Sequence, residues 1–96
     1  MTAYVYMIRC KNKALYTGWT NDLAARLKKH AAGAGAKYTK AFKVDKMVYF
    51  EEVVDKSAAL KREYELKQLP KSAKEGLVAS FDKEFSLKRK NLEKSN

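Results

Sequence analysis

At 96 residues the chain has room for one domain with one modest core. Its formal net charge of +10 and pI near 9.7 favour a polyanionic partner, nucleic acid before an anionic membrane, with plain solubility as the bland alternative. A lone cysteine, Cys10, excludes an intrachain disulfide and, with a lone histidine, argues against zinc; with no signal-like leader and no apolar run of spanning length, a cytoplasmic protein without a membrane partner is expected.

Residues 3–10 (AYVYMIRC) are rich in β-branched and aromatic side chains and predict a strand. The KNK stretch at 11–13 then turns the chain into a second strand over 14–17. If Cys10 pairs with Ala14, Ile8 faces Tyr16, and Tyr6 becomes the diagonal neighbour of Tyr16 on one sheet face. Tyr4 continues that face, while Val5 and Met7 point the other way. Gly18 is expected to end the hairpin with a sharp turn. Cys10 itself reads as a small core hydrophobe.

Thr20, Asn21 or Asp22 can cap the helix that follows, which runs to about Ala32 before a glycine pair. Leu23, Leu27 and Ala31 form its apolar stripe. Arg26 and His30, one turn apart, are expected side by side at the border between core and solvent. Residues 34–43 read as a basic loop and residues 47–54 (MVYFEEVV) as a third strand. Between Asp22 and Asp45 the chain has no acid at all, yet holds Arg26, Lys28, Lys29, Lys37, Lys40 and Lys43, with Tyr38 and Phe42 among them. Cations interleaved with aromatics suit phosphates and bases, so Lys28, Lys29, Lys37, Tyr38, Lys40 and Lys43 are the candidate nucleic-acid contacts.

A further helix is predicted from Ser57 to Leu69, stopped by Pro70, which can open another through about Ser80. A helical wheel puts Ala59, Leu60, Tyr64 and Leu66 inward and Lys61, Arg62, Glu65 and Gln68 outward. Glu63 falls on the inward side. A carboxylate there is costly unless it is paired, binds a metal or opens on a cleft. Its bland reading is an i, i+4 pair with Lys67; its sharper reading is a site carboxylate. Residues 81–96 are polar and charged and read as a frayed helix or disordered tail, leaving residues 1–80 as the domain. The simplest assembly is α+β: a small three-stranded, mostly antiparallel sheet flanked by helices.

The ordered set of YVY at 4–6, YTG at 16–18, Arg26, His30 and a downstream helical glutamate resembles the GIY-YIG nuclease domain. The resemblance covers residues 3 to 80. It is closest to the small stand-alone UPF0213 group, which is itself similar to the N-terminal nuclease domain of UvrC. The run LYTGxTxDLxxRLxxH, followed by GAKYT and VYFEE, is typical of that group. What the resemblance implies is a metal-dependent endonuclease that hydrolyses DNA phosphodiester bonds, on branched or damaged DNA. It makes Tyr6 and Tyr16 the paired motif tyrosines, Arg26 the motif arginine, His30 the second helix residue and Glu63 the ligand of Mg²⁺ or Mn²⁺. Two departures stand out. Tyr4 occupies the glycine position of the first tripeptide, and Trp19 stands where UvrC-type domains often carry a lysine.

Hydrolysis of a phosphodiester needs an activated water and positive charge on the phosphoryl oxygens. One carboxylate, the only inward acid expected, with several waters suits Mg²⁺, and Arg26 can grip a non-bridging oxygen as a fork. A free phenol with pKa of about 10 is ionised to about one part in a thousand at pH 7. Beside Arg26, His30 and a metal that pKa is expected to fall, and either Tyr6 or Tyr16 can then serve as base. The competing reading is a non-catalytic DNA- or RNA-binding module on the same scaffold, as a monomer or dimer.

Overall fold

A computed structural model describes residues 2–33 and 43–94, with side chains as far as Lys83. Three strands, β1 (Ala3–Cys10), β2 (Leu15–Thr20) and β3 (Val44–Val53), form one sheet in the order β2-β1-β3, antiparallel throughout. Among the described residues three helices accompany it: α1 (Leu23–Ala31), α2 (Lys56–Gln68) and α3 (Lys71–Lys94). The expected α+β architecture is the observed one.

The register follows from the turn. The Cys10 amide donates to the Ala14 carbonyl at 2.9 Å, and Ile8 then pairs with Tyr16 and Tyr6 with Gly18. Lys13 sits at φ 75°, the left-handed conformation that closes so short a connection. β2 does not stop at Gly18, as the sequence suggests, but continues through Trp19 to Thr20, which pairs with Tyr4. β3 begins three residues before the expected Met47, because Val44 and Lys46 still find partners on Cys10 and Arg9. Irregularities between Met7 and Ile8 and between Arg9 and Cys10 absorb the mismatch.

β1 is the central strand and is buried along nearly its whole length. Ala3, Val5 and Met7 join Tyr49 of β3 and Ala59 and Leu66 of α2 in the main core, with Leu77, Val78 and Phe81 of α3 packed against it. Phe81 meets the rings of both Tyr49 and Phe50, so α3 packs on the sheet beyond residue 80. Arg9 grips Glu75 with both guanidinium nitrogens at 2.5 and 2.6 Å, tying the first turns of α3 to β1. Cys10 is buried and burial pushes its thiol up, as fits a small core residue.

Caps set the helices. The Asp22 carboxylate accepts from the Ala25 amide and the Asp55 carboxylate from the Ala58 amide. Pro70 holds Leu69 extended, and its carbonyl accepts from Ala73 and Lys74 to start α3.

The orientation of α2 departs from the expected wheel. Ala59 and Leu66 are buried as anticipated, but Leu60 and Tyr64 are 43 % and 67 % exposed. Arg62, expected in solvent, is half-buried and forks onto Glu51, with its Nε 3.0 Å from Oε1 and its Nη2 3.0 Å from Oε2. Glu51 also accepts from the Tyr49 hydroxyl. Burial pushes the Glu51 carboxyl up, but these two partners hold it below its ordinary range. Glu63 is therefore not the only inward acid. No described helix is long and apolar enough to cross a membrane.

Candidate active site

The site is built where α1 lies against the Tyr6 side of β1 and β2. Asp22 fixes where α1 starts, and Arg26 and His30 then stand one turn apart on it. His30 is not at the border of core and solvent as expected. It is 1 % exposed, and its Nε2 lies 2.8 Å from the hydroxyl of Tyr6, itself 0 % exposed. The His30 ring also stands 5.8 Å from the Tyr6 ring and 5.3 Å from the Tyr16 ring, and the two phenols are 6.4 Å apart. The cause is space: with Leu23 and Leu27 only half-buried, the imidazole is the side chain of α1 that fills the gap above β1.

Burial, and then the charges of Arg26 and Lys29, depress the His30 pKa below 6.5, so the ring is neutral at pH 7. Burial pushes the Tyr6 phenol up to about 12, with the Tyr16 charge adding and Arg26 opposing. In the Nδ1-protonated tautomer the Tyr6 hydroxyl donates to Nε2. Burial also raises the Tyr16 pKa, helped by Glu63 and opposed by Arg26. Of the groups expected to lower the phenols, Arg26 pulls in that direction, but without the charge of a metal desolvation is the larger effect.

Gly18 serves the site by absence of bulk rather than by turning the chain. A Cβ at Gly18 would lie 2.6 Å from the Tyr6 hydroxyl oxygen and 2.8 Å from its Cζ, with Tyr16 Cε2 at 3.1 Å. Its φ is not positive; the glycine with φ of 78° is Gly33, just past α1. The phenol of Tyr6 crosses over the bare Cα of Gly18 to reach His30.

Glu63 reaches the site from α2. Its side chain is 19 % exposed and its Oε1 lies 3.7 Å from Lys67 Nζ, the pair anticipated as the bland alternative. Its charge raises both phenols, so Tyr6, Tyr16, Arg26, His30 and Glu63 form one electrostatic neighbourhood. Among the described residues no group of three His, Cys, Asp or Glu side chains could hold a metal ion. A lone carboxylate nonetheless fits a hard divalent cation that keeps most of its water, as Mg²⁺ does.

The candidate nucleic-acid contacts are only partly described. Lys28 and Lys29 are exposed on α1 and Lys43 is exposed just before β3, while Lys37, Tyr38 and Lys40 lie outside the described residues. One contact had no sequence signal: Lys56 Nζ stands 5.6 Å from the centroid of the Trp19 ring. The first residue of α2 thus brings a cation over the position where the family pattern leads one to look for a lysine.

Residues 2–76 match the model of the GIY-YIG catalytic domain, more than half of the chain. The chain belongs to the GIY-YIG nuclease family. It is 46 % identical over 91 residues to a UPF0213 protein of Clostridium perfringens, covering 95 % of this chain and 94 % of that one. A UPF0213 protein of Oceanobacillus iheyensis is 42 % identical over 81 residues, or 84 % and 94 % of the two chains. The solution NMR structure of a UPF0213 protein from Bacillus halodurans, 43 % identical, superposes with a TM-score of 0.53 over 82 % of this chain and 84 % of that one. In this GIY-YIG protein the first motif is the strand β1, the second is the middle of β2, and nucleic acid is the partner class that family membership carries.

Proposed function

We propose that the protein is a divalent-metal-dependent endonuclease of DNA whose site is Tyr6, Tyr16, Arg26, His30 and Glu63. The observation that carries the reading is the convergence of two phenols, a guanidinium, a buried neutral imidazole and a carboxylate from β1, β2, α1 and α2. Tyr6 is sealed from solvent and committed to His30, whereas Tyr16 is only half-buried on the edge strand. Tyr16 is therefore assigned as the group that orients and deprotonates the attacking water. The Tyr6–His30 pair holds the Tyr16 ring in place through the ring contacts on its inner side. Arg26 grips a non-bridging phosphoryl oxygen, a role that its planar fork fits. Mg²⁺ or Mn²⁺ on Glu63 would supply the positive charge that offsets burial at the Tyr16 phenol and neutralises charge on the phosphate. Lys28, Lys29 and Lys43, all exposed, would serve as sequence-independent phosphate contacts, and branched or damaged DNA is the proposed substrate class.

The test is Glu63→Gln, read by nicking of supercoiled plasmid with Mg²⁺ or Mn²⁺, by DNA affinity and by melting. Nicking should fall by about 10²–10³, the usual cost of one catalytic interaction. Affinity should hold, because removing a negative charge near phosphate does not weaken the electrostatic part of binding. The rival account, in which Glu63 only pairs with Lys67, requires a modest loss of stability with nicking untouched. Absence of nicking by the wild type on any substrate would instead support a binding module.

A further inference from the structure

The flank of α2 beside the site is exposed. Lys56, Leu60, Tyr64 and Lys67 fall within an arc of about 80° at about 100° per residue, with Lys61 next to them, and all five are exposed. Three of the five are cations and the other two are large apolar or aromatic side chains. On the bordering side the arc meets Glu63, which Lys67 faces at 3.7 Å. Glu65 lies on the far side, where Arg62 stands 3.8 Å away. At its start the arc touches β2, through Lys56 over the ring of Trp19. A strand of nucleic acid leaving Glu63 and Tyr16 would run directly onto it.

We infer that this face of α2 is a second nucleic-acid contact, a stacking platform for unpaired nucleotides beside the site. Tyr64, at 67 % exposed, offers a ring face that water hydrates poorly. Leu60, one turn earlier, widens the platform. Base pairs inside a duplex are already stacked on one another, so a protruding phenol can reach their edges and backbone but not a ring face. Only an unpaired base has a free face to lay on Tyr64. The lysines around it take the phosphates of the same strand without reading sequence. The inference rests on the nuclease reading for the position of the cleaved strand, but the contact itself requires no turnover.

The experiment is fluorescence anisotropy of a labelled oligo(dT) and of a duplex of equal length, in EDTA so that nothing is cut. Tyr64→Ala should weaken oligo(dT) binding about tenfold, within the range usual for one stacked base, and shift duplex binding by no more than about twofold. Tyr64→Phe, which keeps the ring, should bind oligo(dT) like the wild type. Lys56→Ala with Lys61→Ala should lower the salt slope on oligo(dT) by about 0.7 per phosphate contact removed. Melting should be unchanged in Tyr64→Ala, since the ring is exposed. Unchanged oligo(dT) binding, as a protein-docking face would give, overturns the inference, and so does an equal loss on both ligands. Plasmid nicking by the wild type tests the nuclease reading separately, so the failure of either idea can be told from that of the other.

Discussion

Adding one methyl group at Gly18 should damage this protein more than most large substitutions on its surface. The Cβ of Gly18→Ala would fall 2.6 Å from the Tyr6 hydroxyl oxygen and 2.8 Å from Cζ, distances that real carbon atoms do not sustain. Tyr6 has nowhere to retreat, because it is fully buried and hydrogen-bonded to His30 at 2.8 Å. Overpacking of this kind costs about 1–3 kcal/mol. Pulling the phenol from His30 breaks a buried hydrogen bond, at about 1 kcal/mol more. A total of about 2 kcal/mol or more lowers the melting temperature by roughly 8–16 °C at about 4–8 °C per kcal/mol for a domain this small. Circular dichroism melting measures it directly, and Gly76→Ala is the control. Nothing lies within 4 Å of a Cβ at Gly76, in the body of α3, so that change should stabilise by about 0.5–1 kcal/mol through helix propensity. The two glycine-to-alanine changes should therefore move the melting point in opposite directions. A Gly18→Ala protein that melts at or above the wild-type temperature would refute the claim that this glycine makes room for Tyr6.

Two further outcomes follow from the same neighbourhood. Arg26→Lys keeps the charge beside both phenols but loses the planar fork, so nicking should fall at least about tenfold with binding and melting preserved, and wild-type turnover in that variant would reduce Arg26 to local charge. His30, the single histidine, has a folded pKa below its unfolded value of about 6.5, so the unfolded chain takes up the proton first. Its contribution to stability is complete above about pH 6.5 and is lost as pH falls from there towards the depressed folded pKa, with a slope of at most about 1.4 kcal/mol per pH unit. Denaturant titrations from pH 7.5 to 5 should show that decline, and His30→Asn should flatten it.

How much could be read before folding depends on whether a feature is decided by neighbours in the chain or by elements that meet across it. The hairpin is local. Once KNK makes the turn and Cys10 meets Ala14, alternation alone puts Tyr6 and Tyr16 on one face, and this is the register found. Capping is local as well, so Asp22 and Pro70 mark helix starts from sequence. The motif set needed only the order of its residues to point to the family that residues 2–76 match.

What sequence could not supply is how far each element reaches and which way it is rotated against the others. A helical wheel orders side chains around α2 but does not say which arc meets the sheet. With the sheet only three strands wide, Ala59 and Leu66 are covered, Arg62 swings in to meet Glu51, and Leu60 and Tyr64 are left in solvent. The same holds for His30, whose polarity suggests a border position until α1 is laid on β1 and the gap above Tyr6 calls for a ring. Gly18 is the sharpest case. Chain position makes it look like a turn, because glycine is scored for the dihedral angles it allows, whereas its task here is to leave a volume empty for a side chain on the neighbouring strand. Backbone preference is written residue by residue along the chain, but the shape of a packed interior exists only once distant segments have closed on one another.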